Sequence, residues 1–180
     1  MELTEVLRNR RSIKNFDARP VPQEDLVKLI DVARYSPSGN NTNPWRFVVI
    51  TDRKTLDRLA EAHPYCRWLG SAPAGIALLA DPVLTRYWLE DCCIAAYSIW
   101  LAATELGLGV AWAAMHQSDN ASESERRQTL VGEILSIPGG FRIPIVLGVG
   151  YPSVTPGEKK RPPVHDIVFW QRYAPRARLK

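Results

Sequence analysis

Between Cys92 and Ala103 the chain reads C-C-I-A-A-Y-S-I-W-L-A-A, a run without charge in which only Tyr97, Ser98 and Trp100 carry a side-chain oxygen or nitrogen. Flanking residues extend the helical pattern over 86–106. A surface helix carries one apolar stripe, whereas a helix apolar almost all round has to be covered on every side. A membrane span needs about 20 apolar residues, so this run is too short to cross a bilayer. The remaining elements must therefore build layers around it. With 180 residues, 46% of them apolar, the chain is expected to form one domain over 1–180, and its limited interior predicts a core completed by an obligate second copy.

The other elements follow from periodicity. Leu3, Val6 and Leu7 at i, i+3, i+4 predict a helix over 3–10. Pro22 fits the first turn of a second helix, Gln23-Glu24-Asp25 suit its positive end, and Leu26, Leu29, Ile30 and Ala33 make one face to about residue 35. Ser36, disfavoured in the helical region by Pro37, ends it. F47-V-V-I50 and I76-A-L-L79 read as interior strands covered on both faces, with a helix at 53–62 between them. L106-G-L-G-V-A-W-A-A-M115 supplies a helix stop and a third strand, 123–136 a helix, and I143-P-I-V-L-G-V-G150 a fourth strand. Interleaved strands and helices place the chain in the α/β or α+β class. From Tyr151 onward the tail is rich in Pro, Lys and Arg and reads as an arm of the kind that packs on a partner chain.

The 23 basic residues face 19 acidic ones, a net charge of +4 and a pI near 9.1, as compatible with an anionic small ligand as with nucleic acid. No stacking-aromatic or recognition-helix pattern favours nucleic acid. The N-terminal M-E-L-T-E-V-L lacks the marks of a signal peptide, so a cytoplasmic protein with no membrane association is expected. Cys66, Cys92 and Cys93 form no CxxC pair and no even disulfide framework, and are expected to be small buried residues. His63, His116 and His165 are too scattered for metal spacing, so no metal is assigned.

Three polar clusters stand out: R10-R-S-I-K14, P37-S-G-N-N-T-N-P-W45 and K159-K-R161. Alone, each is ordinary surface or loop chemistry. Their order is informative: a basic helix end, a Pro-Ser-x-x-Asn-x-Asn-Pro-Trp turn after the second helix, an apolar central helix, L-G-L-G-x-x-W, G-V-G-Y-P from Gly148, and a late Lys-x-Arg. Over nearly the whole chain this resembles the nitroreductase family of flavin enzymes, whose members open with Arg-Arg-Ser-x-Arg and carry an Ala-Pro-Ser-x-x-Asn-x-Gln-Pro-Trp turn.

The resemblance implies an α+β fold with a central, mostly antiparallel sheet covered by helices, and a homodimer with an extended C-terminal arm and one FMN per protomer at the interface. It implies that Arg10, Arg11, Ser12 and Lys14 contact the FMN phosphate and pyrimidine edge, with Lys159 and Arg161 closing the phosphate site and Lys160 pointing away. Such a site makes chemical sense. An FMN phosphate carries about two negative charges near neutrality, which Arg forks, Lys and a hydroxyl satisfy with charge-assisted bonds. Lys14 stands where the family has Arg, keeping the charge without the planar fork. Pro37, Ser38, Gly39 and Asn41 match a loop that reaches the partner's flavin. Asn43 replaces the family's Gln with a side chain one methylene shorter. Trp45 is expected in the core. Trp112, Ala113 and Ala114 match the stretch whose backbone N–H groups meet the flavin N5 region. The polar ligand that many members place ahead of the second strand has no counterpart in H63-P-Y-C-R-W68.

The implied activity is an FMN-dependent oxidoreductase in which NAD(P)H reduces nitroaromatics, quinones or similar small acceptors by ping-pong hydride transfer, with no catalytic side chain. A specialised member of the dehalogenating or flavin-degrading type is a second reading, against which the short segment between Trp112 and Ile143 argues. A non-catalytic FMN-binding protein is a third.

Overall fold

A computed structural model describes residues 1–154, 156–157 and 159–173. Helix α1 spans Leu3–Asn9 and α2 Gln23–Ala33; strand β1 (Trp45–Ile50) leads through α3 (Arg53–Ala60) to β2 (Ala74–Ala80). Then come α4 (Trp88–Glu105), β3 (Gly109–Ala114), α5 (Ala121–Leu135), β4 (Arg142–Gly150) and a single helical turn, α6 (Val164–Ile167). Tight 3₁₀ turns at Gly39–Asn41 and Pro64–Ser71 were not foreseen from periodicity. Helix α2 starts one residue after Pro22, which caps it, and α5 starts at Ala121 because the Asn120 side chain accepts the Glu123 N–H at 3.0 Å.

The strands form one antiparallel sheet in the order β1-β2-β4-β3. Alternation, interrupted by a register shift between the Leu78–Ile145 and Ala80–Arg142 pairs that puts Ile143 on the opposite face from Ile145, sorts its side chains into two cores. Ile76 and Leu78 of β2 and Ile145, Leu147 and Val149 of β4 face α2 and α4, whereas Ala77, Leu79, Ile143 and Val146 face α3 and α5. Strand β2 is buried at every residue, as an interior strand should be. Strand β1 differs from the expectation: it lies at the edge, and Arg46 and Val49 are exposed. A four-residue apolar run carries no information about which neighbours it will have.

Helix α4 also departs from its reading. Its Ala95, Ala96, Ile99 and Ala103 side chains are buried against the sheet, but Ile94 (42% exposed) and Tyr97 (40%) are not, and Leu101 is only half-buried. Positions 94, 97 and 101 form a second apolar stripe, which a single chain leaves open. Leu3 of α1 and Val32 of α2 line a groove with Leu101, extending the same face.

Helix α4 stops at Gly107 (φ +74°), where the Gly107 N–H reaches the Thr104 carbonyl (3.1 Å) and the Leu108 N–H the Ala103 carbonyl (2.7 Å), the paired bonds of a Schellman stop. The second glycine of L-G-L-G, Gly109, seats Ile13. A Cβ there would lie 2.6 Å from that of Ile13. This close approach fixes where the N-terminal basic segment runs.

Candidate functional site

The segment after α1 lies along β3. Ser12 bridges to Val110 in parallel, and the Ile13 N–H bonds to the Val110 carbonyl at 3.0 Å. Farther on, the Asp17 N–H meets the Tyr151 carbonyl (2.8 Å) and the Ser153 N–H the Asn15 carbonyl (3.1 Å), so the segment also ties down the end of β4. Because the Val110 carbonyl points away from β4, the peptide alternation of a strand turns the Trp112 and Ala114 edge groups the same way. The Ala114 carbonyl does face out, accepting from Arg127 Nη1 at 3.1 Å. Ala113 is buried and Ala114 exposed.

Arg10, half-buried at the C-terminus of α1, lays its guanidinium over the Trp100 ring at 4.6 Å from the centroid. Trp100 packs against Trp112 (6.3 Å between centroids), and its indole N–H donates to the Arg11 carbonyl at 3.2 Å. Arg11 bonds to the carbonyls of Arg8, Arg10 and Gly157, the last at 3.4 Å. The Gly157 bond brings the tail that carries Lys159 to the N-terminal cluster. Ser12, Lys14, Lys159 and Arg161 are exposed, and Arg161 Nη1 donates to the Lys160 carbonyl at 3.4 Å. Among the described residues no carboxylate pairs with Arg10, Arg11, Lys14, Lys159 or Arg161. The first cluster thus sits at the open edge of β3, the tail approaches it at Gly157, and cations that pair with no described carboxylate suit an anion.

The third cluster lies elsewhere. Pro37 is exposed, and the Gly39 N–H donates to the Asp91 carboxylate at 2.9 Å, near the start of α4. Arg10 contacts Trp100, nine residues farther along α4, or about 13 Å at 1.5 Å per residue. Asn40, Asn41 and Asn43 all have left-handed backbones, with φ of 53°, 55° and 47°. Asn suits that region because its short polar side chain bonds locally, and the Asn43 amide donates to the Asn41 carbonyl at 3.2 Å while its backbone N–H donates to Ser38 Oγ at 2.9 Å. The Asn43 side chain is thereby folded onto its own loop. Trp45 is buried in the core, as expected. A groove of about 930 Å³ between the 18–34 segment and β1 contains none of these residues.

The loop after β3 is held by α5. Glu123 bonds both Arg126 and Arg127 at 2.7 Å, and these guanidinium groups pull its carboxyl down to about 2. Burial, reinforced by Arg127, lowers the His63 imidazole below its usual value. Burial pushes the Cys92 thiol up to about 12, and the Cys66 and Cys93 thiols are raised for the same reason. All three cysteines are free, and at neutral pH they are thiols rather than nucleophilic thiolates. Trp100, Asp91 and Arg127 were not singled out from sequence. Only Asp91 left a signal there, as a charge at the start of a run otherwise headed for the core.

The family profile described as Nitroreductase family matches residues 7–63 and 62–151. A relative from Methanothermobacter thermautotrophicus, provisionally named NADH dehydrogenase/NAD(P)H nitroreductase, is 35% identical over 162 residues, covering 88% of this chain and 82% of its own. A solved structure from Parabacteroides distasonis with the same provisional name is 31% identical and superposes with a TM-score of 0.85, over 94% of this chain and 98% of that one. An FMN-dependent nitroreductase from Clostridium difficile R20291, 26% identical, superposes at 0.86 over 93% and 98%. With the same four-stranded antiparallel α+β architecture and a profile match across most of its length, this chain belongs to the nitroreductase family.

Proposed function

We propose that the chain is one protomer of a homodimeric, FMN-dependent oxidoreductase that uses NAD(P)H to reduce small acceptors such as nitroaromatics or quinones. The observation that carries this reading is the placement of the Arg10–Lys14 segment at the open edge of β3, with Arg10 over Trp100, Ser12 bridged to Val110 and Arg11 bonded to the tail at Gly157. The residues present fit the cofactor. Arg10, Arg11, Ser12, Lys14, Lys159 and Arg161 offer charge-assisted donors to a terminal phosphate, each bond worth about 1.5–3 kcal/mol. The outward N–H groups of Trp112 and Ala114 offer donors to a ring laid along the strand. When bound, FMN supplies the electron transfer between nicotinamide and acceptor.

The protein's part is to hold and orient. Guanidinium groups held at the β3 edge would add positive potential around a bound flavin, which would favour the anionic charge that develops on reduction. Trp100 and Trp112 back the Arg10 guanidinium and keep it from wandering. No side chain is required as nucleophile or general base, in keeping with the raised Cys66, Cys92 and Cys93 thiols and the lowered His63 imidazole. With one cleft for two redox partners, turnover is expected to be ping-pong.

Dimerisation is supported by the open apolar stripe on α4 and by the separation of the Ser38–Asn43 loop from the basic cluster of its own chain, which leaves that loop free to serve a partner's flavin. The exposed Val164, Ile167, Trp170 and Tyr173 of the tail fit an arm that packs on a second copy. Among the described residues no helix is long and apolar enough to cross a membrane.

The test is to purify the protein, sediment it, denature it and chromatograph what is released. FMN from a dimer is expected. FAD, no flavin after saturation with FMN, or a flavin-loaded monomer at low micromolar concentration would overturn the reading.

A further inference from the structure

Asp91 is a buried carboxylate, 3% exposed, in the first turn of α4. One oxygen accepts the Gly39 N–H at 2.9 Å, whereas Oδ2 is buried without a hydrogen-bond partner. No described Lys or Arg pairs with it. A half-satisfied buried charge is costly. The positive end of α4 offsets part of that cost, but a neutral amide could make the same bond more cheaply. The one bond it makes is to the Gly39 amide, and its role lies in what that bond holds.

It holds the start of the Ser38–Asn43 loop. A second rung lies seven residues along the same face of α4, where Ser36 Oγ and Ser98 Oγ share a hydrogen bond of 2.9 Å. The chain from Ser36 to Gly39 is thus laid down along the helix. Gly39 fits its seat only for lack of a side chain, since a Cβ would lie 2.5 Å from Tyr87 Cδ2 and 3.2 Å from Thr85 Oγ1. Beyond Gly39 the loop is tied to itself, by Thr42 Oγ1 to the Gly39 carbonyl (2.9 Å) and by the Asn43 N–H to Ser38 Oγ (2.9 Å). A loop stiffened internally takes its angle from its anchors, and the Gly39 amide is the anchor at the loop itself.

We propose that Asp91 is a positioning residue: through the Gly39 N–H it sets the angle at which Ser38, Asn41 and Asn43 are presented to the flavin. This rests on the flavin-binding reading above. Asp91 itself touches no cofactor; it acts through the loop.

Three variants test it, Asp91→Ala, Asp91→Asn and Gly39→Ala, with two readouts. In the flavin-free protein, hydrogen–deuterium exchange over residues 36–44 is expected to speed up about tenfold or more in Asp91→Ala, the loss of one charge-assisted bond, with exchange elsewhere unchanged. Asp91→Asn, which keeps an acceptor, is expected to restore most of the protection. In FMN titrations, Asp91→Ala is expected to bind roughly tenfold to a hundredfold more weakly, with Asp91→Asn close to wild type. Gly39→Ala, which displaces the same amide while Asp91 stays intact, is expected to match Asp91→Ala. It also keeps the test alive if Asp91→Ala does not fold.

Wild-type FMN binding with unchanged affinity in Asp91→Ala or Gly39→Ala would overturn the proposal alone. Equal losses in Asp91→Ala and Asp91→Asn, with exchange rising throughout the protein, would reduce Asp91 to a structural role and also overturn it. If the wild type bound no FMN while the exchange pattern held, the anchor would stand, but the flavin reading would fall and its role in presenting the loop with it.

Discussion

The path of the N-terminal basic segment depends on the missing side chain of Gly109, and Gly109→Ala should show how much. The added Cβ would sit 2.5 Å from Ile13 Cγ1, 2.6 Å from its Cβ and 2.9 Å from its Cγ2. Apolar carbons rest about 3.5–4.0 Å apart, so roughly 1 Å of separation has to be found. Rotating the Ile13 side chain does not find it, because the Cβ nearest the backbone is itself in the clash. The segment must move away from β3. Detachment would cost the Ile13–Val110 hydrogen bond, about 0.5–1.5 kcal/mol, and part of the burial of Ile13, about 1.5–3 kcal/mol in full. Strained retention would cost about 1–3 kcal/mol as overpacking. The cheaper route governs, so a loss of about 1–3 kcal/mol is expected in urea unfolding. FMN affinity, followed by flavin fluorescence, is expected to fall in the same variant, because Ser12 and Lys14 ride on the displaced backbone. Gly139→Ala is the control: its Cβ meets nothing within 4 Å, and a change within about 0.5 kcal/mol is expected. Equal stability in the two variants, or a destabilised Gly109→Ala that still binds FMN as tightly as wild type, would refute the reasoning.

Two further outcomes are expected. Arg161→Ala should weaken FMN binding by roughly tenfold to a hundredfold while Lys160→Ala leaves it nearly unchanged, and equal losses in a fluorescence titration would show that the late Lys-x-Arg is misassigned. Glu123, held near 2 against an ordinary 4.5 by Arg126 and Arg127, contributes stability that is fully present above about pH 4.5 and is lost as pH falls toward 2. Melting temperatures of Glu123→Gln and wild type should accordingly converge over that window, and a constant gap across it would contradict the assignment.

Much of this was legible because local chemistry and global fold agree. The L-G-L-G stretch announced a helix stop, and the structure gives each glycine its reason, a left-handed turn at Gly107 and a seat for Ile13 at Gly109. The fully apolar β2 read correctly as an interior strand, while the equally apolar run Phe47–Ile50 proved to belong to an edge strand, because strand order is set by long-range pairing that periodicity cannot encode. Helix α4 was read as buried all round, and its Ile94–Tyr97 stripe is open in one chain. Composition registers that a face must be covered, not which molecule covers it. The basic clusters were visible as charge and the family resemblance joined them, whereas the bond from Arg11 to the Gly157 carbonyl, by which the tail approaches the N-terminal segment, had no signal in the sequence. Asp91 went unmarked because an acid beside Glu90 at a helix start reads as dipole compensation, and only burial and the Gly39 contact give it another role.

The central claim is that the cations on the β3 edge hold an FMN that exchanges electrons with NAD(P)H. Its most direct test is to mix the purified yellow protein with NADH or NADPH without oxygen and follow the flavin absorbance. Bleaching by at least one nucleotide, and recovery of the colour when a quinone or nitroaromatic is added with no further nucleotide, is the expected result. A flavin that stays yellow under both nucleotides would contradict the account and leave a protein that binds FMN without turning it over.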